Sequence, residues 1–164
     1  MGNCGLKVIW GQVPNFAFHY LQLFLQNRKK LTMQHKSERT IMVADDDLSI
    51  LECVKLMLEF EGYTVQTTTM GNSLLTLQEL PDLILLDIWM SGVDGREICK
   101  LLKADSKTSH IPVLLFSAST KLCLSASEAG ADDYLEKPFE MDDLLKKIAQ
   151  LLSPKTVHLE DGCA

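Results

Sequence analysis

The sequence predicts an α/β domain in which a parallel sheet lies between two layers of helices. Three observations predict it. From Thr40 onward, short apolar runs alternate with stretches of helical periodicity. Two of those runs, LILL over Leu83–Leu86 and PVLLF over Pro112–Phe116, are apolar throughout, so both faces of the strands are buried. The polar residues that end the runs fall at their carboxyl ends, the rim where an open parallel sheet carries its ligands.

Each element has a local reason. Ile41–Ala44 is a brief apolar run that ends in acid, and a first helix follows over Leu48–Glu61, with Ile50, Leu51, Val54 and Leu58 on one face. Gly62 stands where a helix C-cap belongs. Thr64–Thr68 is β-branched and half polar, as suits an edge strand. A short helix through Leu74, Leu75 and Leu77 is stopped by Pro81, and Leu83–Leu86 then runs into Asp87. Gly95–Lys103 places Ile98, Leu101 and Leu102 on one helical face, and the Pro112–Phe116 strand follows. Lys121–Ala129 is a helix closed by Gly130, Tyr134–Glu136 a short strand, and Asp142–Leu152 a last amphipathic helix with Asp142 as its N-cap. The sum is five strands and five helices in alternation.

Charge narrows the function. Residues 1–32 carry Lys7, Arg28, Lys29 and Lys30 and no acid, whereas from Met33 onward 12 basic residues face 22 acidic ones, a net of −10. So acidic a domain does not grip nucleic acid directly; cations and basic partner surfaces suit it better. The five cysteines are widely spaced without a C-x-x-C pair, and the four histidines supply no zinc-ligand pattern, which leaves free thiols in a reducing, cytoplasmic setting.

Residues 1–38 read as an extension. Phe16–Leu25 is apolar but interrupted by His19 and Gln22, and is too short to span a bilayer, which takes about 20 apolar residues. The start MGNCGL departs from a myristoylation signal at Leu6. Arg28-Lys29-Lys30, encodable by a purine-rich tract just before Met33, has the look of a translated ribosome-binding site, which makes Met33 the expected true start. The alternative use of the segment is an amphipathic helix that binds a partner or a membrane. The working domain is expected over 39–153, with 154–164 a short tail that leaves no room for an output domain.

The strand ends carry the chemistry. The first ends in Asp45-Asp46-Asp47, the third in Asp87, the fourth in Ser117-Ala118 and the fifth in Lys137-Pro138. Carboxylates packed on one rim raise one another's pKa unless a cation lies between them. A hard ion such as Mg²⁺, which takes one or two carboxylates and leaves room for a phosphate oxygen, fits that need. Asp87 is then a nucleophile able to form an aspartyl-phosphate. The Lys137 ammonium offsets charge on the transferring group, and Ser117 and the Ala118 N–H donate to its oxygens. Each piece alone is an ordinary turn or cap residue; their joint occurrence in strand order carries the inference.

The segments IMVADDD, LLDIWMSGVDG, LLFSAS and YLEKPF resemble the signature segments of bacterial two-component receiver domains, over roughly Thr40 to Leu152. The resemblance implies a flavodoxin-like, doubly wound five-stranded sheet of order 2-1-3-4-5. It implies Asp87 as phosphoacceptor, with Asp46 and Asp87 on Mg²⁺ directly, Asp45 through water and the Trp89 carbonyl as a further ligand. Ser117 becomes the switch hydroxyl, Tyr134 the aromatic whose rotamer reports its movement, and Lys137 the partner of the phosphoryl group, with a cis bond to Pro138. Asp47 takes the third acidic position, with a structural role. The implied protein is a phosphorelay switch and not an enzyme, catalysing only its own Mg²⁺-dependent phosphorylation and dephosphorylation. Its expected partners are a histidine kinase or histidine phosphotransfer protein and a downstream protein bound by contact; a homodimer through the last helix stays open.

Two departures stand out. Ser91, followed by Gly92, occupies the place where the family usually has proline, which predicts a looser loop. Trp89 is bulky for a position beside the phosphoryl group and is expected to hinder the attacking water, lengthening the phosphorylated lifetime. Three rival readings remain. A phosphorylation-independent pseudo-receiver is opposed by the intact Asp46, Asp87, Ser117 and Lys137. A phosphatase with its nucleophile on the first strand needs an acid two residues later, where Trp89 stands after Asp87. A flavin-binding protein needs a Ser/Thr/Gly-rich phosphate loop, and Asp45–Asp47 stand in its place.

Overall fold

The computed structural model describes residues 39–118 and 126–153. Its strands and helices are β1 (Thr40–Ala44), α1 (Leu48–Phe60), β2 (Thr64–Thr68), β3 (Leu83–Asp87), the two-residue strands β4 (Trp89–Met90) and β5 (Val93–Asp94), α2 (Gly95–Ala104), β6 (Val113–Ser117), β7 (Asp133–Glu136) and α3 (Met141–Leu152). The extension, the tail and most of the helix expected over 121–129 lie outside the described residues; Ala126–Glu128 are helical.

Five strands form one parallel sheet in the order β2-β1-β3-β6-β7. Counted in chain order without the β4–β5 hairpin, that is 2-1-3-4-5, the expected topology. Every residue of β3 and β6 is buried. The strand period of two then divides the core in two. Met42, Ala44, Ile84, Leu86, Val113 and Leu115 face Leu74, Ile98, Cys99 and Leu102. Ile41, Val43, Leu83, Leu85, Leu114 and Phe116 face Leu51, Val54 and Leu58 of α1 and Leu144 and Ile148 of α3. Full burial of one such aliphatic side chain contributes roughly 1.5–3 kcal/mol, so the central strands hold the layers together.

Two local expectations are corrected, and one further element is found. Gly71–Thr76 is a 3-10 helix that ends before Leu77. It buries only Gly71 and Leu74, a spacing of three that matches the tighter helix. Its first turn is held by Ser73, whose hydroxyl donates to the Met70 carbonyl at 2.7 Å. The last helix starts one residue earlier than expected, with Glu140 as N-cap, which makes no side-chain capping bond. Asp142 lies in the first turn instead, where its charge still favours the positive end of the helix dipole. The β4–β5 hairpin after β3 was not foreseen; it pairs Trp89 with Asp94 and Met90 with Val93 in antiparallel register.

Candidate functional site

The parallel register brings the carboxyl ends of β1, β3, β6 and β7 to one rim. There, one oxygen from each of Asp45, Asp46 and Asp87 lies within 4.8 Å of the others. Asp45 and Asp87 are almost fully buried, whereas Asp46 is exposed. The Lys137 ammonium reaches across from the end of β7 and donates to Asp45 Oδ2 and to Asp87 Oδ1, each at 2.8 Å. It also lies 4.3 Å from the centroid of the Phe116 ring, which gives the charge an electron-rich seat in an otherwise apolar wall.

Backbone groups fix the remaining geometry. The Trp89 N–H donates to Asp87 Oδ2 at 2.8 Å, so both oxygens of Asp87 are held. The Asp47 N–H donates to Asp45 Oδ1 at 2.9 Å, while the Asp47 carboxylate accepts from the Ser49 N–H and caps α1. Ser117 is buried at the end of β6, and its carbonyl accepts the Lys137 N–H at 2.8 Å. Ala118 follows it and is exposed. The Lys137–Pro138 peptide bond is cis, as expected. Tyr134 stands three residues back on β7, beside Leu115, with its ring at the surface under the Lys147 ammonium. The structure thus brings Asp45, Asp46 and Asp87 together on one rim, with Lys137 in contact with Asp45 and Asp87. Ser117 is tied to that set through the backbone, and Tyr134 lies outside it.

Three carboxylates against one ammonium leave the pocket negative. Burial pushes the Asp87 carboxyl above its ordinary value of 3.8, and Asp45 adds to the rise, against the lowering effect of Lys137 and the Trp89 N–H. Asp46 goes the other way: the Ser91 hydroxyl bond, helped by the Ser91 N–H, holds it below 3.8 against the opposing effect of burial. A cluster of hard carboxylate oxygens with excess negative charge has the donor chemistry of a site for a hard divalent cation.

Two residues gain roles that sequence reasoning missed. Ser91, expected to loosen its loop, instead pins it: its N–H and its hydroxyl both donate to Asp46 Oδ2, at 2.8 and 2.6 Å. Only its departure from proline marked the position beforehand. Arg96 places its guanidinium 5.2 Å from the Trp89 ring centroid while forking both oxygens of Asp94. Asp94 also caps α2 by accepting the Arg96 N–H at 2.9 Å. The exposed indole therefore has a cationic neighbour that no motif singled out.

Comparison with known proteins agrees with this geometry. A sequence model described as the response regulator receiver domain matches residues 41–149. Among curated proteins, the chain is 39% identical over 116 residues to the DNA-binding dual master transcriptional regulator RpaA of Synechocystis sp., covering 68% of this chain and 48% of that protein. It is 36% identical over 118 residues to the response regulator MprA of Mycolicibacterium vanbaalenii, covering 71% and 51% respectively. The chain thus spans about half the length of the curated relatives it matches. Among solved structures, a CheY-like receiver domain protein from Methanospirillum hungatei is 33% identical with a TM-score of 0.63, covering 71% of this chain and 94% of that one. The receiver domain of the sensor histidine kinase PA1611 from Pseudomonas aeruginosa, solved with a magnesium ion coordinated in its active-site cleft, shares the fold at 22% identity and a TM-score of 0.66, covering 71% and 98%.

Proposed function

The chain belongs to the response regulator receiver domain family, and on that premise we propose that it is a phosphorelay switch whose phosphoacceptor is Asp87. One observation carries the reading: Lys137 joins Asp45 and Asp87 in a nearly buried ion-pair triad at the carboxyl rim of the sheet. The donor is a phosphohistidine on a histidine kinase or phosphotransfer protein. A carboxylate oxygen of Asp87 attacks phosphorus, the phosphorus–nitrogen bond breaks, and the imidazole leaves with the electron pair and takes up a proton. Mg²⁺ fits the donor set: Asp46 and Asp87 would hold it directly, with Asp45 through water and the Trp89 carbonyl. When bound, it neutralises charge on the transferring oxygens.

The chain's own residues do the rest. The Trp89 N–H orients Asp87 for attack. The Lys137 ammonium, already on Asp87 Oδ1, is placed to follow the negative charge onto the phosphoryl group. Ser117 and the Ala118 N–H supply donors to the phosphoryl oxygens, and the movement of Ser117 biases an equilibrium read out at Tyr134. The switch unit is residues 39–153, with 1–38 an extension and 154–164 a tail. Its acidity argues for protein partners, not nucleic acid, as the direct contacts of this unit. A cytoplasmic setting is part of this reading; no described helix is long and apolar enough to cross a membrane.

Acetyl phosphate with Mg²⁺ tests the reading. The expected result is an acid-stable, alkali-labile phosphoryl adduct, seen by intact mass, that disappears in EDTA and in Asp87→Ala. Absence of the adduct in the parent chain, or its persistence in Asp87→Ala, overturns the assignment and favours a pseudo-receiver.

A further inference from the structure

Asp45 and Asp87 are packed into the protein and clamped by Lys137, but Asp46 has neither support. An exposed aspartate samples several rotamers and loses that freedom when it ligates an ion. In this chain the freedom is already removed by Ser91, from 45 residues away. Its N–H and hydroxyl converge on a single oxygen, Asp46 Oδ2. Two donors fill the two lone pairs of that oxygen, so the other oxygen is the one left to a cation. Proline, the residue usual at this place in the family, has neither an N–H nor a hydroxyl and could make neither bond.

Resting on the reading of Asp46 as a cation ligand, we propose that Ser91 is a positioning residue that holds Asp46 in its ligating rotamer and so sets the affinity of the acidic site for Mg²⁺. Ligating carboxylates are commonly oriented by hydrogen bonds from outside the ion's own shell, and loss of such a bond costs about 10–100-fold in affinity. Because one Ser91 donor is the backbone N–H, which survives substitution by alanine, the hydroxyl accounts for the lower end of that range. The arrangement replaces the stiffness that a proline ring gives this loop with a cross-loop tether from the turn between β4 and β5 to the end of β1.

Mg²⁺ titration of the full-length chain, read by calorimetry and by Trp89 fluorescence in a Trp10→Phe background, tests the proposal. Ser91→Ala is expected to weaken Mg²⁺ about tenfold. Ser91→Thr, which restores a hydroxyl, is expected to bind like the parent. In an Asp46→Ala background Ser91→Ala is expected to change nothing, because the group it positions is gone. Parent-like affinity in Ser91→Ala refutes the role of Ser91 and leaves the acidic site standing, and tighter binding refutes it by making the bond a competitor of the ion. Failure of Thr to rescue also refutes it, pointing to a steric effect on the loop. A parent chain that shows no saturable binding overturns the cation site together with the role given to Ser91.

Discussion

Replacing Lys137 by methionine keeps the packing of the stem and removes the one charge that the buried acids share. The Lys137, Asp45 and Asp87 side chains are 9%, 2% and 7% exposed, and both contacts are 2.8 Å, so solvent does little to screen what is left behind. Breaking a buried pair by deleting one partner costs roughly 3–5 kcal/mol, because the remaining charge stays desolvated. With a urea m-value of about 1–2 kcal/mol/M, the unfolding midpoint in EDTA should fall by about 2 M or more. Mg²⁺ should then narrow the gap. The ammonium and the ion touch the same carboxylates, and like charges a few ångströms apart repel by on the order of 2 kcal/mol even in a well-screened site. The variant is therefore expected to gain more stability from Mg²⁺ than the parent does. Lys146→Met is the control. It breaks an ion pair whose side chains are 70% and 56% exposed, and should leave the midpoint almost unmoved. Circular dichroism in urea, with EDTA and with Mg²⁺, measures all three chains. A Lys137→Met midpoint equal to the parent's in EDTA, or a gap that Mg²⁺ leaves unchanged, would refute the reasoning.

Three further outcomes follow from other parts of the molecule. In Gly95→Ala, a Cβ would strike the Asp87 carbonyl oxygen and come within 3.1 Å of Ile88 Cα, both backbone atoms that no rotamer change relieves. Overpacking of this kind costs about 1–3 kcal/mol, so thermal unfolding should move down by roughly 5–20 °C and phosphorylation should slow; a parent-like melting curve contradicts the tight approach of α2 to β3. Trp89→Asn removes an indole that is 61% exposed, so stability should stay within about 0.5 kcal/mol of the parent while autodephosphorylation quickens several-fold; an unchanged rate counts against hindrance by the ring. Asp82 is pushed up by burial, but its bonds from the Thr40 N–H and from Arg39 outweigh that and hold it below 3.8. A depressed carboxyl stabilises the fold above its unfolded value and loses that contribution as pH falls through the folded one. The stability gap between parent and Asp82→Asn should therefore be widest near neutrality and close below pH 3.8, and urea midpoints independent of pH would exclude the linkage.

The parts of this structure that could be read beforehand are those where one physical requirement acts on a contiguous stretch. A run such as LILL can satisfy its burial only between two helical layers, and all of β3 is indeed buried. The acids were legible because a parallel sheet sends every strand's carboxyl end to the same rim, so Asp45, Asp46, Asp87 and Lys137 had to converge once the strand order was known. What escaped depends on pairs of residues far apart, or on contests too close for composition to decide. The bond from Ser91 to Asp46 crosses 45 residues, and nothing in either segment announces it. The hairpin Trp89–Asp94 has two residues per strand, too few for any alternation. Gly71–Thr76 offers one leucine to the core and several side chains that bond locally, and the balance fell to the tighter helix. At the last helix, Asp142 has the better capping chemistry, yet the chain enters its first turn at Glu140, where Phe139 is already buried against the core.

The same pocket explains why a small chemical change there can be felt across the sheet. Its charges do not balance: three carboxylates and one ammonium gather at the ends of strands of which the central β3 is buried throughout. Such a site is held together by the packing around it, so any added charge must be answered by movement of the few mobile polar groups. Lys137 is the most constrained of these, because its ammonium serves two acids and its N–H is fixed to the Ser117 carbonyl. A phosphoryl group on Asp87 would draw the ammonium away from Asp45 and pull on the junction of β6 and β7 at the same moment. Tyr134 is paired in register with Leu115, two residues before Ser117, with its ring under the half-buried Lys147 ammonium of α3. Within the sheet, β7 is an edge strand with Leu135 as its one buried residue, so the rest of it can yield with little disturbance of the core.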